Sequence, residues 1–291
     1  MTEVRAAFRH LLAGDEAVFA PLCLDALGAR VAAAEGFRAG YVSGGALGYA
    51  MAVSEALLTL TEIADVTRNV VQRGGLPTIV DVGVGFGDPV HVARTVWEIE
   101  ATGAVAIELE DQVAPKRVSH HRGIEHLVDV EVMCAKLRHA VAARQDPDFL
   151  LIARTGAIAN EGFEAALARC AAYRAAGADM VMLLTGDEAQ WRQASAALDA
   201  PLATITAFGA RTPSQWRALG CALVIDPITP QVLAVQAVRE AYRRLRNEGH
   251  TGIDARTLFA RYRELPTLAG LDPLYAIEDD TTERGSKPGQ H

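Results

Sequence analysis

The chain has 291 residues, of which 50% are hydrophobic and 22% charged, and its formal net charge is −8. That apolar fraction excludes a disordered chain, and about 250 residues suffice for one α/β barrel, so the length does not require two domains. An acidic balance without a basic run argues against nucleic acid or an anionic membrane surface as partner, and no apolar stretch approaches the ~18 residues that span a bilayer.

The N-terminal MTEVRAAFRHLL lacks the long apolar core and cleavage site of a signal peptide and reads as a short helix. Cys23, Cys134, Cys170 and Cys221 are scattered without zinc or CxxC spacing, which suits a reduced, cytoplasmic setting. Eight short runs rich in Val, Ile and Leu follow, at 18–23, 39–44, 78–83, 104–110, 149–155, 180–185, 202–207 and 223–227, with Ala-rich helical stretches between them. Each run is continuously apolar rather than alternating, as in strands covered on both faces. Asp88-Pro89 and Thr212-Pro213 each offer an N-cap followed by proline at the first helical position. Gly36, Gly103, Gly177 and Gly220 stand where helix ends call for a left-handed residue.

This alternation predicts a (β/α)₈ TIM-type barrel. An open doubly wound sheet is the alternative, disfavoured because no GxGxxG follows the first strand. Two longer gaps, 45–57 and 111–128, are candidate active-site loops. Further helices are predicted over 232–249 and 254–264, and the polar end 278–291 reads as disordered. The barrel with its N-terminal helix is therefore expected over 1–250, and a C-terminal helical extension with a tail over 251–291.

A barrel carries its reactive groups at the C-terminal ends of its strands. Those ends hold Ser43-Gly44-Gly45, Asp81, Glu108, Glu110, Asp111, Arg154, Thr206 and Asp226. Glu108 and Glu110 are two apart and share one face of a strand; with Asp81 they offer hard oxygen ligands for Mg²⁺. Arg154 can grip a carboxylate or phosphate, and the Ser43–Gly45 amides can receive an oxyanion. An isolated acid at a strand end is more often a cap or an ion-pair partner, so it is the set that raises the case for chemistry. The glycines of DVGVGFGDP (81–89) can cradle phosphate, but the Lys-Ser/Thr pair of a P-loop is missing, and a tight strand-to-helix turn is the favoured reading. APKRVSHHRG (114–123) is either a solvated loop or a lid carrying Lys116, Arg117, Ser119 and His120. A metal site from His120 and His121 is disfavoured, since neighbouring side chains of an extended loop point apart.

Over residues 17–250 the chain resembles the isocitrate lyase/phosphoenolpyruvate mutase superfamily, nearest its 2-methylisocitrate lyase-like branch. The blocks that carry the likeness, in order, include DALGARVAAAEGF, YVSGGALG, LLTLTE, DVGVGFG, RTVWEIEATGAVAIELEDQVAPKR, DPDFLLIART and ITAFGARTP. The resemblance implies a (β/α)₈ barrel, Mg²⁺-dependent chemistry (Mn²⁺ as the alternative ion) on small 2-oxo or 2-hydroxy carboxylates, and a homo-oligomer, dimer or tetramer, whose subunits exchange a C-terminal helix. It assigns metal binding to Asp81 and Glu110; Glu108, which shares a strand face with Glu110, is expected as a further ligand although the resemblance does not assign it. It assigns substrate binding to Arg154, to the Ser43, Gly44 and Gly45 turn, and to Lys116 and Arg117 of a KRCGH-like lid.

The chain departs from that pattern at several positions. The lid cysteine, a proton donor in the lyases, is Val118, and the following glycine is Ser119. The second Asp of the DxD metal motif is Gly83, the acid before LLTL is Ser54 with Glu55 beside it, and the acid after ART is Gly156. Leu184, Thr204 and Ala207 replace further polar positions, and Glu108 stands where the lyases usually carry His. Valine cannot transfer a proton, so His120 or Ser119 is expected to take that role. The expected activity is carbon–carbon bond cleavage, of retro-aldol or decarboxylase type, through a Mg-stabilised enolate. Phosphonopyruvate or phosphoenolpyruvate chemistry and a catalytically degenerate acid-binding barrel are the alternatives.

Overall fold

Eight parallel strands occupy the eight apolar runs, each close to its predicted place: β1 (Val18–Pro21), β2 (Gly40–Val42), β3 (Thr78–Asp81), β4 (Ala106–Glu110), β5 (Leu150–Arg154), β6 (Met180–Met182), β7 (Leu202–Ile205) and β8 (Cys221–Asp226). The computed structural model describes residues 2–284. Neighbours pair in the order β1-β8-β7-β6-β5-β4-β3-β2. A parallel bridge between Leu22 and Tyr41 joins the first strand to the second, and the Cys23 amide donates to the Tyr41 carbonyl at 2.8 Å. The sheet thereby curls into the predicted (β/α)₈ barrel rather than an open doubly wound sheet.

Two apolar layers follow from strand alternation. Ala20, Tyr41, Ile79, Ile152, Met182 and Ile225 fill the interior, while residues such as Val80, Ile107, Leu109 and Leu151 face the surrounding helices. The N-terminal helix α1 (Thr2–Leu12) buries Arg5, Phe8 and Leu12. Phe8 belongs to the interior cluster, and Arg5 donates to the Ala104 carbonyl at 3.0 Å and to Asp146 at 3.1 Å, just ahead of β4 and β5. Helix α1 therefore stoppers the end of the barrel opposite the predicted chemistry.

The predicted turn devices are present. Thr212 and Gln215 form a capping box at α10 (Pro213–Ala218), and the Asp88 amide donates to His91 Nδ1 at 3.1 Å at the start of α5 (Pro89–Ala101). Gly85 in the turn after β3 has φ +76°, and a Cβ there would lie 2.6 Å from Val92 and 2.9 Å from Leu109. Glycine is dictated by the turn itself.

Some expectations are corrected. The 45–57 gap is largely helical, with α3 (Gly44–Ala50) and a 3-10 turn at Glu55–Leu57. The 111–128 gap contains a 3-10 turn at Val118–Arg122 and an antiparallel bridge between Gln112 and Leu127. Of the end expected to be disordered from 278, the described part is ordered: a helix covers Asp272–Asp280 and a turn 281–284, while 285–291 lie outside the described residues. The predicted helix at 232–249 spans Thr229–Glu248, and the one at 254–264 spans Ala255–Tyr262, capped by Asp254.

The chain divides into compact units Met1–Val232 and Leu233–His291. In the second unit, none of the described helices buries a residue, and Leu233, Tyr242, Phe259, Tyr262 and Ile277 stand exposed. Among the described residues, no helix is long and apolar enough to cross a membrane.

Candidate active site at the barrel mouth

Strand register gathers the predicted acids. The β3–β4 pairing sets Asp81 beside Glu108, and β4–β5 sets Glu110 beside Arg154. Ala106, Glu108 and Glu110 alternate with outward-facing Ile107 and Leu109, so both glutamates project toward the barrel axis, fully buried.

Glu108 is held on both oxygens. Arg154 Nη1 donates to Oε1 at 2.9 Å and the Tyr41 hydroxyl to Oε2 at 2.6 Å. Burial, followed by the charges of Asp81 and Glu108, keeps the Tyr41 phenol protonated and a donor. Both Glu108 oxygens thus serve Arg154 and Tyr41, an orienting part beside the metal-binding one expected of it. Arg154 Nη2 lies 3.7 Å from Glu110 Oε2.

Asp81 sits at the centre of a charge surplus. Its carboxylate accepts from the Gly83 amide at 2.9 Å and the Gly44 amide at 3.1 Å. Burial, then the charges of Glu108 and Glu55, push its pKa up to about 7. The bond to Gly44 also corrects the expectation that this amide is free for an oxyanion. Ser43 caps α3 through Oγ on the Ala46 amide at 3.3 Å, and a Cβ on Gly45 would meet Glu55 Oε2 at 3.1 Å. The turn is thus packed against acids.

The 114–123 segment closes over this cluster. Lys116 Nζ forms an ion pair with Glu110, 2.6 Å from Oε1, and hydrogen-bonds Glu55. His120 Nε2 lies 3.2 Å from Glu55 Oε2, and its Nδ1 lies 2.8 Å from the Arg117 carbonyl. Burial raises the Glu55 pKa, but hydrogen bonds from His120 and Lys116 with the Lys116 charge outweigh it and hold the group at about 2. The Glu55 hydrogen bond in turn raises His120 above its usual value. The 3-10 turn brings the His120 and His121 rings to 3.9 Å, so they do not point apart as expected of an extended loop. They serve different partners: His121 bonds the Tyr49 and Ser54 hydroxyls, both at 3.0 Å.

Other predicted residues lie at the margin. Arg117 is exposed and contributes its carbonyl, Val118 is 55% exposed, and among the described residues the Ser119 hydroxyl bonds none of the acids. Thr206 Oγ1 donates to the Ala207 carbonyl at 3.4 Å. Asp226 accepts from the Ile228, Thr229 and Phe208 amides, so it caps the Thr229–Glu248 helix and tethers the loop after β7. Asp111 turns outward onto Thr155 and Tyr173, each at 2.7 Å.

Two site residues escaped the sequence. Tyr41 sits in an unbroken apolar run and reads as core. Glu55 sits beside Ser54, which occupies the expected acid position. Its signal was adjacency in SEALLTL, where a 3-10 turn directs the second residue inward.

Gly44, Glu55, Asp81, Gly83, Phe86 and Lys116 line a cavity of about 200 Å³. Three buried carboxyl groups (Asp81, Glu108, Glu110) and the half-buried Glu55 thus face two fixed cations, Lys116 and Arg154. Among the described residues no three His, Cys, Asp or Glu side chains converge into an all-protein cage. Hard oxygen donors, surplus negative charge and room for water suit Mg²⁺, which keeps several waters and uses one or two carboxylates.

The family model for phosphoenolpyruvate phosphomutase matches residues 8–246. The chain is 34% identical over 286 residues to 2,3-dimethylmalate lyase of Eubacterium barkeri, covering 94% of this chain and 96% of the relative. It is 38% identical over 251 residues to 2-methylisocitrate lyase of Salmonella typhimurium, covering 84% and 85%. Among solved structures, oxaloacetate acetylhydrolase with the inhibitor 3,3-difluorooxalacetate aligns with a TM-score of 0.86 at 29% identity, over 97% of this chain and 98% of the other. Phosphonopyruvate hydrolase with oxalate and Mg²⁺ aligns with a TM-score of 0.82 at 29% identity, over 96% and 99%. The barrel, its acid-lined mouth and these matches over most of the length agree: the chain belongs to the phosphoenolpyruvate phosphomutase family, on the carbon–carbon lyase side of the isocitrate lyase/PEP mutase superfamily.

Proposed function

We propose that this enzyme cleaves a carbon–carbon bond in a small 2-hydroxy or 2-oxo carboxylate, by a retro-aldol or decarboxylase route, with Mg²⁺ (or Mn²⁺) held by Asp81 and Glu110. The single observation that carries the reading is the surplus of buried carboxyl groups around Asp81, set directly beside the Arg154 guanidinium. When bound, a divalent ion supplies the positive charge that offsets negative charge developing on a substrate oxygen.

The chain's own residues do the rest. Arg154, oriented by Glu108, presents its planar fork to a substrate carboxylate. Lys116 brings a second cation to the mouth from the lid. His120, whose proton is held more firmly because of Glu55, is the group in the lid best suited to deliver a proton at Nε2. Ser119 lacks a comparable partner and is the weaker candidate. The lid reads as the lyase version, KRVSH for KRCGH, which favours this reading over phosphonopyruvate chemistry.

We further propose a homo-oligomer in the cytoplasm. The exposed apolar residues of the second unit support a second copy as their cover, and four buried free cysteines suit a reducing compartment. Screening 2-hydroxy and 2-oxo acids with millimolar Mg²⁺ and product detection tests the reaction. Asp81→Ala and Arg154→Ala are expected to abolish turnover, and undiminished turnover in both rejects the site.

A further inference from the structure

The residue after Arg154 and Thr155 is glycine for a reason outside its own backbone. Gly156 has φ −91°, a conformation open to any L-residue. A Cβ at this position would nevertheless lie 1.3 Å from Glu125 Oε2 and 2.3 Å from Glu125 Cδ. The Glu125 carboxyl occupies the space where the Gly156 side chain would be. In the lyase pattern that position, after ART, carries an acid.

Glu125 is held there from several sides. Its carbonyl accepts from Asn160 Nδ2 at 2.7 Å, and the next residue, His126, accepts from the Val113 amide at 2.8 Å. These bonds tie the returning limb of the lid to the strand end after β4 and to α7 (Ala157–Glu161). The carboxyl lies against Gly156, two residues past Arg154, and feels the charges of Arg154, Glu110, Asp111 and Lys116. Burial raises its pKa, the sign of a carboxyl drawn out of bulk water.

We propose that Glu125 is a specificity-determining residue: the lid supplies the acid that β5 has given up, and this carboxyl accepts a hydrogen bond from a hydroxyl of the bound substrate. The inference rests on the reading of the mouth as a carboxylate site and narrows its substrate class to 2-hydroxy acids. A carboxyl beside Arg154 repels a second carboxylate at that corner and rewards a donor. A half-buried acceptor such as Glu125 loses a hydrogen bond when the hydroxyl is missing, which is how sites built around a hydroxyl discriminate.

Malonate and hydroxymalonate differ by one hydroxyl and are suitable probes. Their dissociation constants are measured calorimetrically on the full chain in excess MgCl₂, with unfolding midpoints recorded for each variant. The wild-type chain is expected to prefer hydroxymalonate by about tenfold or more, the scale of a hydrogen bond to a charged group. Glu125→Ala is expected to bring the preference close to unity. Gly156→Ala is expected to do the same with Glu125 still present, because the methyl displaces the carboxyl. Glu125→Ala combined with Gly156→Asp is expected to recover the preference by returning the acid to the turn after β5.

Equal wild-type affinity for the two probes, or a preference that survives Glu125→Ala, overturns the role of Glu125. The carboxylate pocket still stands in that case if Arg154→Ala weakens both probes. Failure of the wild-type chain to bind either probe, or unchanged binding of both by Arg154→Ala, overturns the pocket and this inference with it.

Discussion

Arg154 and Glu108 form a buried ion pair, 2.9 Å between Nη1 and Oε1, with side chains 17% and 1% exposed. The pair is what aims the guanidinium, since Tyr41 fixes the other Glu108 oxygen. Glu108→Ala would leave Arg154 charged and Tyr41 unpartnered in the barrel interior. Removing one partner of such a pair costs about 3–5 kcal/mol. Urea unfolding is the measurement, and a loss below ~1 kcal/mol would contradict the assignment. Mg²⁺ affinity should change less in Glu108→Gln than in Asp81→Asn, because Glu108 orients Arg154 rather than the ion.

Asp81 links pH to metal binding. Its pKa of about 7 in the folded chain, against 3.8 for an unperturbed aspartate, means that burial and neighbouring acids penalise the charged form. In the absence of metal its contribution to stability is therefore greatest at low pH and is lost as pH rises from about 4 toward 7. A divalent ion removes the penalty by binding the charged form. Added Mg²⁺ should raise the unfolding temperature more at pH 8 than at pH 5.5, and Asp81→Asn should lose most of that difference. Scanning fluorimetry at the two pH values decides it; equal shifts would fail the expectation.

The lid is latched by groups whose shifts have opposite signs. Glu55 is lowered to about 2, so its contribution is present above its unfolded pKa near 4.5 and lost as pH falls toward 2. His120 is raised above 6.5, so its contribution is full below that value and fades as pH rises through the folded pKa. The latch should hold best between about pH 4.5 and 6.5. Hydrogen exchange of 116–123, corrected for intrinsic rates, is expected to be faster at pH 8.5 than at pH 6, and faster at both in Glu55→Gln. Exchange that ignores Glu55→Gln would show that the latch lies elsewhere.

The chain's architecture and half of its site could be read from local pattern. Runs such as TIVD and AIELE are apolar enough to be strands, and a charged residue ending such a run has nowhere to go but the mouth; Asp81, Glu110 and Arg154 were legible for that reason. Glu108 was legible as a site residue but not as the partner of Arg154, because the ion pair depends on inter-strand register. Asp226 had the same signature as Asp81, yet its oxygens are taken by two backbone amides of the turn that follows, Ile228 and Thr229, and by the Phe208 amide of the loop after β7. Tyr41, Glu55 and Glu125 depend on which loop folds over which strand. The contact of Glu125 with Gly156 crosses thirty-one positions of sequence and has no local signal.

Asp111 provides the last test, since it fixes the frame behind the mouth. Its carboxylate accepts from Thr155 Oγ1 and Tyr173 Oη at 2.7 Å each, and Arg169 Nη1 lies 3.4 Å away. Its amide donates to the Arg154 carbonyl at 3.2 Å, and its carbonyl accepts from the Val128 amide at 2.8 Å. One residue thus couples the end of β4, the end of β5 and the returning limb of the lid. Asp111→Ala would strand Arg169 without this partner, although Glu161 still holds it at 2.7 Å. A loss of about 3 kcal/mol in urea unfolding is expected, together with faster exchange of the Val128 amide than global unfolding accounts for. Asp111→Asn retains acceptors for Thr155 and Tyr173 and should lose about half as much. If Asp111→Ala unfolds like the wild-type chain, the frame is held by strand pairing alone and Asp111 is dispensable to it.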